Sequence, residues 1–246
     1  MQLLVSVRSA GEVTPALAGG ADIIDAKEPL RGSLGPVDPS VLGEISARVP
    51  PSVPLSVALG DFQDGGAAAD AISALELIAR PGGVFVKLGL AGVVTSGGTA
   101  TLFRSAVEAA GAAACHPSVV AVAYADRRAG LGPGEIARSA AQVGAEGVLL
   151  DTLAKDGRDL FAFMSPRDVK FWVEAARAAG LIVGIAGSLR PENLESVREI
   201  GPDILGVRGA ACAGGRGGSI DVEKVRALRL TLARIGFGEC RGVARF

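Results

Sequence analysis

Twenty-five basic residues are spread over this 246-residue chain, and only five of them are lysines. Three of the five, Lys27, Lys87 and Lys155, fall at or just after the ends of short aliphatic runs that read as buried parallel strands. Lys170 and Lys224 sit in helical patterns. Because arginine is the ordinary solubilising cation here, a lysine at a strand end points to amine chemistry. An amine whose pKa is suppressed by burial attacks a carbonyl and forms a Schiff base, which a guanidinium cannot do.

The neighbours of these lysines are acidic. Asp25 and Lys27 lie two residues apart at the end of the second run, and a period of two puts both side chains on one face. Lys87 ends the apolar run 84–88, where an unpaired charge is costly unless the pocket is polar. Asp151 ends the sixth run, with Lys155 in the loop that follows. Each residue also has a structural reading: an ion pair for Asp25 and Lys27, an amine snorkelling to water for Lys87, a surface loop for Lys155. Gathered in one water-poor pocket, several amines repel one another's protons, so at least one is neutral near physiological pH. Asp25, Asp151, Asp61 and Asp126 then supply balancing charge or acid and base groups.

Two later segments have the makings of a phosphate cradle. Ala186-Gly187-Ser188 ends the seventh run, and Arg208-Gly209-Ala210 ends the eighth, before Gly214, Gly215, Gly217 and Gly218. Small residues let backbone N–H groups approach phosphate oxygens, with Ser188 and Arg208 as side-chain donors. The segment 155–166, with Leu160, Phe161, Phe163 and Met164, reads either as a lid over the mouth or as packing against a neighbouring helix or subunit. A single histidine, His116, rules out a His-based zinc site and a Ser-His-Asp triad, so no metal and no cofactor is expected.

The elements that must hold these residues repeat about every 30 positions. Strands are expected at 3–7, 22–27, 55–59, 84–89, 119–124, 147–151, 182–186 and 204–207. Helices are expected near 9–18, 38–48, 67–79, 99–113, 133–143, 167–179, 190–199 and 221–235. Eight strand-helix units with no break in composition predict an α/β fold, a single (β/α)₈ TIM barrel over about 2–235 with a tail over 236–246. An open doubly wound sheet fits less well, because no G-x-G-x-x-G turn follows the first strand. Barrel chemistry sits at the C-terminal ends of the strands, where the lysines fall.

Composition narrows the partners. A formal charge of -1 and a pI near 5.9 give no broad basic surface for nucleic acid or an anionic membrane. No stretch has the roughly 18 apolar residues of a membrane span, and the N-terminus lacks a basic-then-apolar leader pattern. Cys115, Cys212 and Cys240, odd in number and widely spaced, suit a reducing compartment. A cytoplasmic protein is expected. It is also expected to be a homo-oligomer, its interface covering apolar loop side chains such as Phe161 and Phe163.

The segments 20–27 with Pro29 and Gly32-Ser33-Leu34-Gly35, 86–90, Leu150-Asp151-Thr152 with Lys155-Asp156-Gly157, Ala186-Gly187-Ser188 and 206–212 together resemble those of the (5-formylfuran-3-yl)methyl phosphate synthase family. The resemblance spans residues 2 to about 235. It implies a barrel lyase of methanofuran biosynthesis that condenses two glyceraldehyde 3-phosphates, releasing phosphate and water. By the same resemblance Lys27 is the Schiff-base lysine and Lys87 the proton acceptor, with Asp25, Asp151 and Lys155 lining the site. The Ala, Gly and Arg bias is similar to a bacterial version serving a methanofuran-like carrier of one-carbon oxidation. A class I aldolase on another phosphorylated sugar, or a non-catalytic sugar-phosphate-binding barrel, would share the phosphate loops.

Overall fold

Among the residues that the computed structural model describes, 1–75, 83–90, 95–127 and 130–233, eight parallel strands close into a barrel. They are β1 (Gln2–Val7), β2 (Ile23–Ala26), β3 (Leu55–Phe62), β4 (Val84–Leu90), β5 (Ser118–Tyr124), β6 (Gly147–Asp151), β7 (Ile182–Ile185) and β8 (Ile204–Val207). The ring shuts where β8 pairs back onto β1, Val5 opposite Val207.

Helices α1 (Val13–Ala18), α2 (Pro39–Arg48), α3 (Gly65–Ser73), α4 (Ser96–Ala112), α5 (Pro133–Gln142), α6 (Pro166–Ala178), α7 (Leu194–Ile200) and α8 (Val222–Ala233) follow the strands in turn. Their starts carry the expected chemistry. Thr95 and Ser165 cap α4 and α6 by accepting from Gly98 and Asp168, and Pro166 occupies the first turn of α6.

Alternation divides each strand between two cores. Val86 and Leu88 of β4 join Ile72, Leu102 and Phe103 of the helices in the large shell between strands and helices. Ala58, Val122, Tyr124, Leu149 and Ala186 form a smaller cluster with Leu34 inside the barrel. The shell carries most of the burial, at about 1.5–3 kcal/mol per large apolar side chain.

Several boundaries differ from expectation. The first helix opens as a 3-10 turn, Ala10–Glu12, and the seventh likewise, Pro191–Asn193, before the α-helix proper. β3 runs on to Phe62 past an irregularity between Ala58 and Gly60, where Gly60 takes a φ of 112° that other residues rarely adopt. The glycine run after β8 is the turn of a hairpin, β9 (Cys212–Ala213) against β10 (Ser219–Ile220). The tail 236–246, Cys240 and the last residues of the helices expected at 67–79 and 221–235 lie outside the described residues. Among the described residues no helix is long and apolar enough to cross a membrane.

Candidate active site

β2 delivers Asp25 and Lys27 to the barrel interior, as the period of two requires, but the two do not pair with each other. Asp25 Oδ1 stands 2.7 Å from Lys87 Nζ, and Asp25 Oδ2 accepts from Ser6 Oγ at 2.7 Å. Between β2 and β4, Ser56 and Ala58 of β3, which pair with Asp25 and Lys87, are small and leave room for the Lys87 chain to cross. Burial alone would raise the Asp25 pKa, but the ammonium of Lys87, with that of Lys27, outweighs it and holds the carboxyl below its ordinary value.

Lys155 has a carboxylate of its own. Its Nζ lies 2.7 Å from Asp151 Oδ1 and 3.2 Å from Thr152 Oγ1. The hydroxyl of Ser33, from the loop after β2, lies 3.0 Å from Asp151 Oδ2 and 2.9 Å from the Thr152 carbonyl. Burial pushes the Asp151 pKa up, and Lys155 and Lys27 push it further down. The sequence left open a surface loop position for Lys155; its side chain is instead largely covered, 13% exposed.

Lys27 is different. Its backbone N–H donates to the Val7 carbonyl at 3.0 Å and its side chain is buried, yet its Nζ forms no ion pair among the described residues. Burial first, then repulsion from Lys87, lowers its pKa to about 8, against the weaker support of Asp151 and Asp25. With no carboxylate partner, this amine has a free lone pair when it gives up its proton.

The rim above is formed by the loops after β7 and β8. Gly187 and Ser188 take φ values of 102° and 53°, both left-handed. A Cβ on Gly187 would lie 3.1 Å from Thr152 Cγ2 and 3.2 Å from Leu160 Cβ, so the turn fits there only because it has no side chain. The N–H groups of Gly187, Ser188, Gly209 and Ala210 find no acceptor among the described residues, as an anion cradle needs.

Arg208, expected as a side-chain donor to phosphate, lines the cavity. Its guanidinium bonds to the Glu12 carboxylate and to the carbonyls of Ser6, Arg216 and Gly218. All five N–H donors are thus engaged within the chain. Arg208 shapes the loop carrying Gly209 and Ala210 and has no donor left for a ligand. Glu12 lies in the turn after β1, too far along the sequence for the pairing to be read there.

Other residues of the site escaped sequence reasoning. Arg216 and Arg190 line the same cavity; Arg216 donates to the carbonyls of Pro29 and Gly32, tying the β2 loop to the β8 loop. Tyr124 donates to Asp61 Oδ1 at 2.8 Å, and burial raises the pKa of both groups. Gly89 permits this pair, since a Cβ there would lie 2.1 Å from Asp61 Oδ1. Asp126 accepts from the N–H groups of Leu153 and Ala154 and so pins the β6 loop. The segment 155–166 is tied down rather than open: Leu160 is buried, its N–H bonded to the Gly187 carbonyl, and Asn193 holds Asp159.

Lys27, Lys87, Asp151, Lys155, Gly187, Ser188, Gly209 and Ala210 all line one cavity of about 420 Å³. Asp25, fully buried, lies behind Lys87 and does not line it. Among the described residues no three His, Cys, Asp or Glu side chains gather as a metal site would require.

Fold and pocket together define a (β/α)₈ barrel with its ionisable groups collected at the C-terminal strand ends. Solved structures agree on the fold: 3-hexulose-6-phosphate synthase superposes with a TM-score of 0.61 at 19% identity, covering 94% of this chain and 100% of that one. Phosphoribosyl anthranilate isomerase from Thermus thermophilus does so at 0.61 and 18%, covering 95% and 98%. Sequence similarity goes further. A family model described as 4-HFC-P synthase matches residues 3–229. The (5-formylfuran-3-yl)methyl phosphate synthase of Methanothermobacter thermautotrophicus is 38% identical over 235 residues, 93% of this chain and 98% of that one. That of Methanopyrus kandleri is 38% identical over 237 residues, 94% and 99%. The chain belongs to the 4-HFC-P synthase family, and it is an enzyme.

Proposed function

We propose that this enzyme condenses two molecules of glyceraldehyde 3-phosphate into (5-formylfuran-3-yl)methyl phosphate through a Schiff base on Lys27, a carbon-oxygen lyase step in making a methanofuran-type carrier. The atoms balance: two three-carbon phosphates give one six-carbon furan phosphate, one inorganic phosphate and two waters. The observation that carries the reading is the asymmetry among the amines. Lys87 and Lys155 each have an aspartate at 2.7 Å, whereas Lys27 has none and a pKa of about 8.

Neutral Lys27 attacks the aldehyde carbon, and loss of water leaves an imine that acidifies the adjacent C–H. Lys87 relays protons with Asp25 behind it during carbon-carbon bond formation, phosphate elimination and dehydration. Lys155, held by Asp151, faces the same space and neutralises the oxyanions that form. The cradle of Gly187, Ser188, Gly209 and Ala210 keeps the phosphate that is retained. Substrate binding and catalysis are taken to be cytoplasmic and to need no cofactor.

Incubating the protein with glyceraldehyde 3-phosphate tests this. Inorganic phosphate is expected to appear together with a near-ultraviolet absorbing aldehyde, and borohydride quenching is expected to add substrate mass at Lys27. A simple aldolase gives no such absorbance, and a mere binder releases no phosphate. Absence of trapped mass under conditions that trap a known Schiff-base aldolase rejects the imine.

A further inference from the structure

The cavity does not stop at the lysines. It continues down the barrel axis to Gly147 and Glu146 at the N-terminal end of β6. Barrel interiors are ordinarily filled by layers of large branched side chains. Here Gly206 of β8 faces the cavity with no atom nearer than 3.3 Å to where a Cβ would stand, while Gly147 and Gly184 let Ile182 and Leu149 pack close beside them on the same wall. The rest of the wall below the lysines is mostly apolar, with Leu4, Ile23, Phe85, Leu149, Ile182 and Ile204 among its residues, and Glu146 stands at its foot. Ser6 is committed to Asp25. The hydroxyl of Ser56, a residue 1% exposed that also lines the cavity, has no hydrogen-bond partner among the described residues.

We propose that this lower chamber is a subsite for a flat five-membered oxygen heterocycle, the furan ring as it forms, with Ser56 donating to its ring or carbonyl oxygen. The inference rests on the reaction proposed above. A triose phosphate brings hydroxyls and a dianion, which the apolar wall does not satisfy and the rim does. Each dehydration removes a hydroxyl and flattens the carbon skeleton, so the chemistry turns a ligand suited to the rim into one suited to the chamber. Lys27 stands one pleat above Asp25, at the top of this space, so a ring tethered there by an imine lies between the rim loops and the chamber. A buried hydroxyl without a partner is uncommon, and a ligand oxygen supplies one.

Furan-2-carboxamide is a suitable probe, since it has the ring and a carbonyl but cannot form an imine. Titration of the full-length protein, followed by ligand-observed NMR, is expected to show saturable millimolar binding. Ser56→Ala is expected to weaken it roughly three- to tenfold. Gly206→Val, whose methyls enter the chamber beside Ala186 and Leu4, is expected to abolish it. No saturable binding by the wild type overturns the inference, as does unweakened binding in Ser56→Ala or in a folded Gly206→Val protein. Because the probe is supplied ready-made, the two readings fail separately. Furan formation without carboxamide binding rejects the chamber alone, and carboxamide binding without phosphate release rejects the reaction alone.

Discussion

Asp25 reaches across β3 to Lys87, at 2.7 Å, and leaves Lys27, its neighbour two residues along β2, without an ion pair. The choice separates two identical functional groups chemically: one amine has a carboxylate partner, while the other has none and a pKa lowered to about 8.

Removing the carboxylate should therefore cost stability first. Asp25→Asn leaves the Lys87 charge buried without a counter-ion, and an unfolding free energy lower by about 3–5 kcal/mol is expected. Adding Lys87→Met to that background should recover most of the loss, since a neutral pair of similar volume is nearly as stable as the ion pair. Urea unfolding of the wild type, the single variant and the double variant checks this; a double variant no more stable than Asp25→Asn refutes the account.

Imine formation should follow the Lys27 proton. With its pKa lowered to about 8 by burial and Lys87, the rate of cyanoborohydride trapping with glyceraldehyde 3-phosphate should rise close to tenfold per pH unit below that value and level off above it. A midpoint near that of an ordinary lysine would mean that the amine is not desolvated.

The same lysine weakens the fold. Its pKa falls from the ordinary lysine value of 10.5 to about 8 in place, so the folded state releases this proton first and the charged form is penalised by folding. The penalty is full below about pH 8 and fades as pH rises from there towards 10.5. Lys27→Met should thus be inactive and more stable at neutral pH, its melting temperature higher by about 2–4 °C for each kcal/mol gained. The gap should narrow at higher pH. Calorimetry at two pH values checks both the sign and the trend.

Glu12→Gln should act at a distance from the chemistry. It deprives buried Arg208 of its counter-ion and frees the loop bearing Gly209 and Ala210. The expected result is a raised KM for glyceraldehyde 3-phosphate, about tenfold or more, with trapping of unphosphorylated glyceraldehyde unchanged. Equal losses on both substrates would place Glu12 elsewhere in the mechanism.

What could be read in the sequence were positions along strands. Eight repeats gave the closed barrel, and strand-end placement put Lys27, Lys87, Asp151 and Lys155 round one cavity. Partners could not be read. That Asp25 faces Lys87 depends on Ser56 and Ala58 of the intervening strand being small, and Arg208 is engaged because Glu12, 196 residues away, meets it. Tyr124, Arg190 and Arg216 carried no local signal, since a polar residue after a strand looks alike whether it turns to water or to the mouth. Gly147, Gly184 and Gly206 all line the cavity, but one glycine in a strand reads as a bulge until three neighbouring strands are seen side by side.

The link between Arg208 and Glu12 ties the last strand of the ring to the turn after the first. During synthesis the ribosome must deliver nearly the whole polypeptide before that seam can shut. Until then Lys27 is bathed in water, where a lysine stays protonated and inert towards aldehydes. A prematurely terminated chain would carry Lys27, Lys87 and Lys155 without the closed ring of strands that buries them.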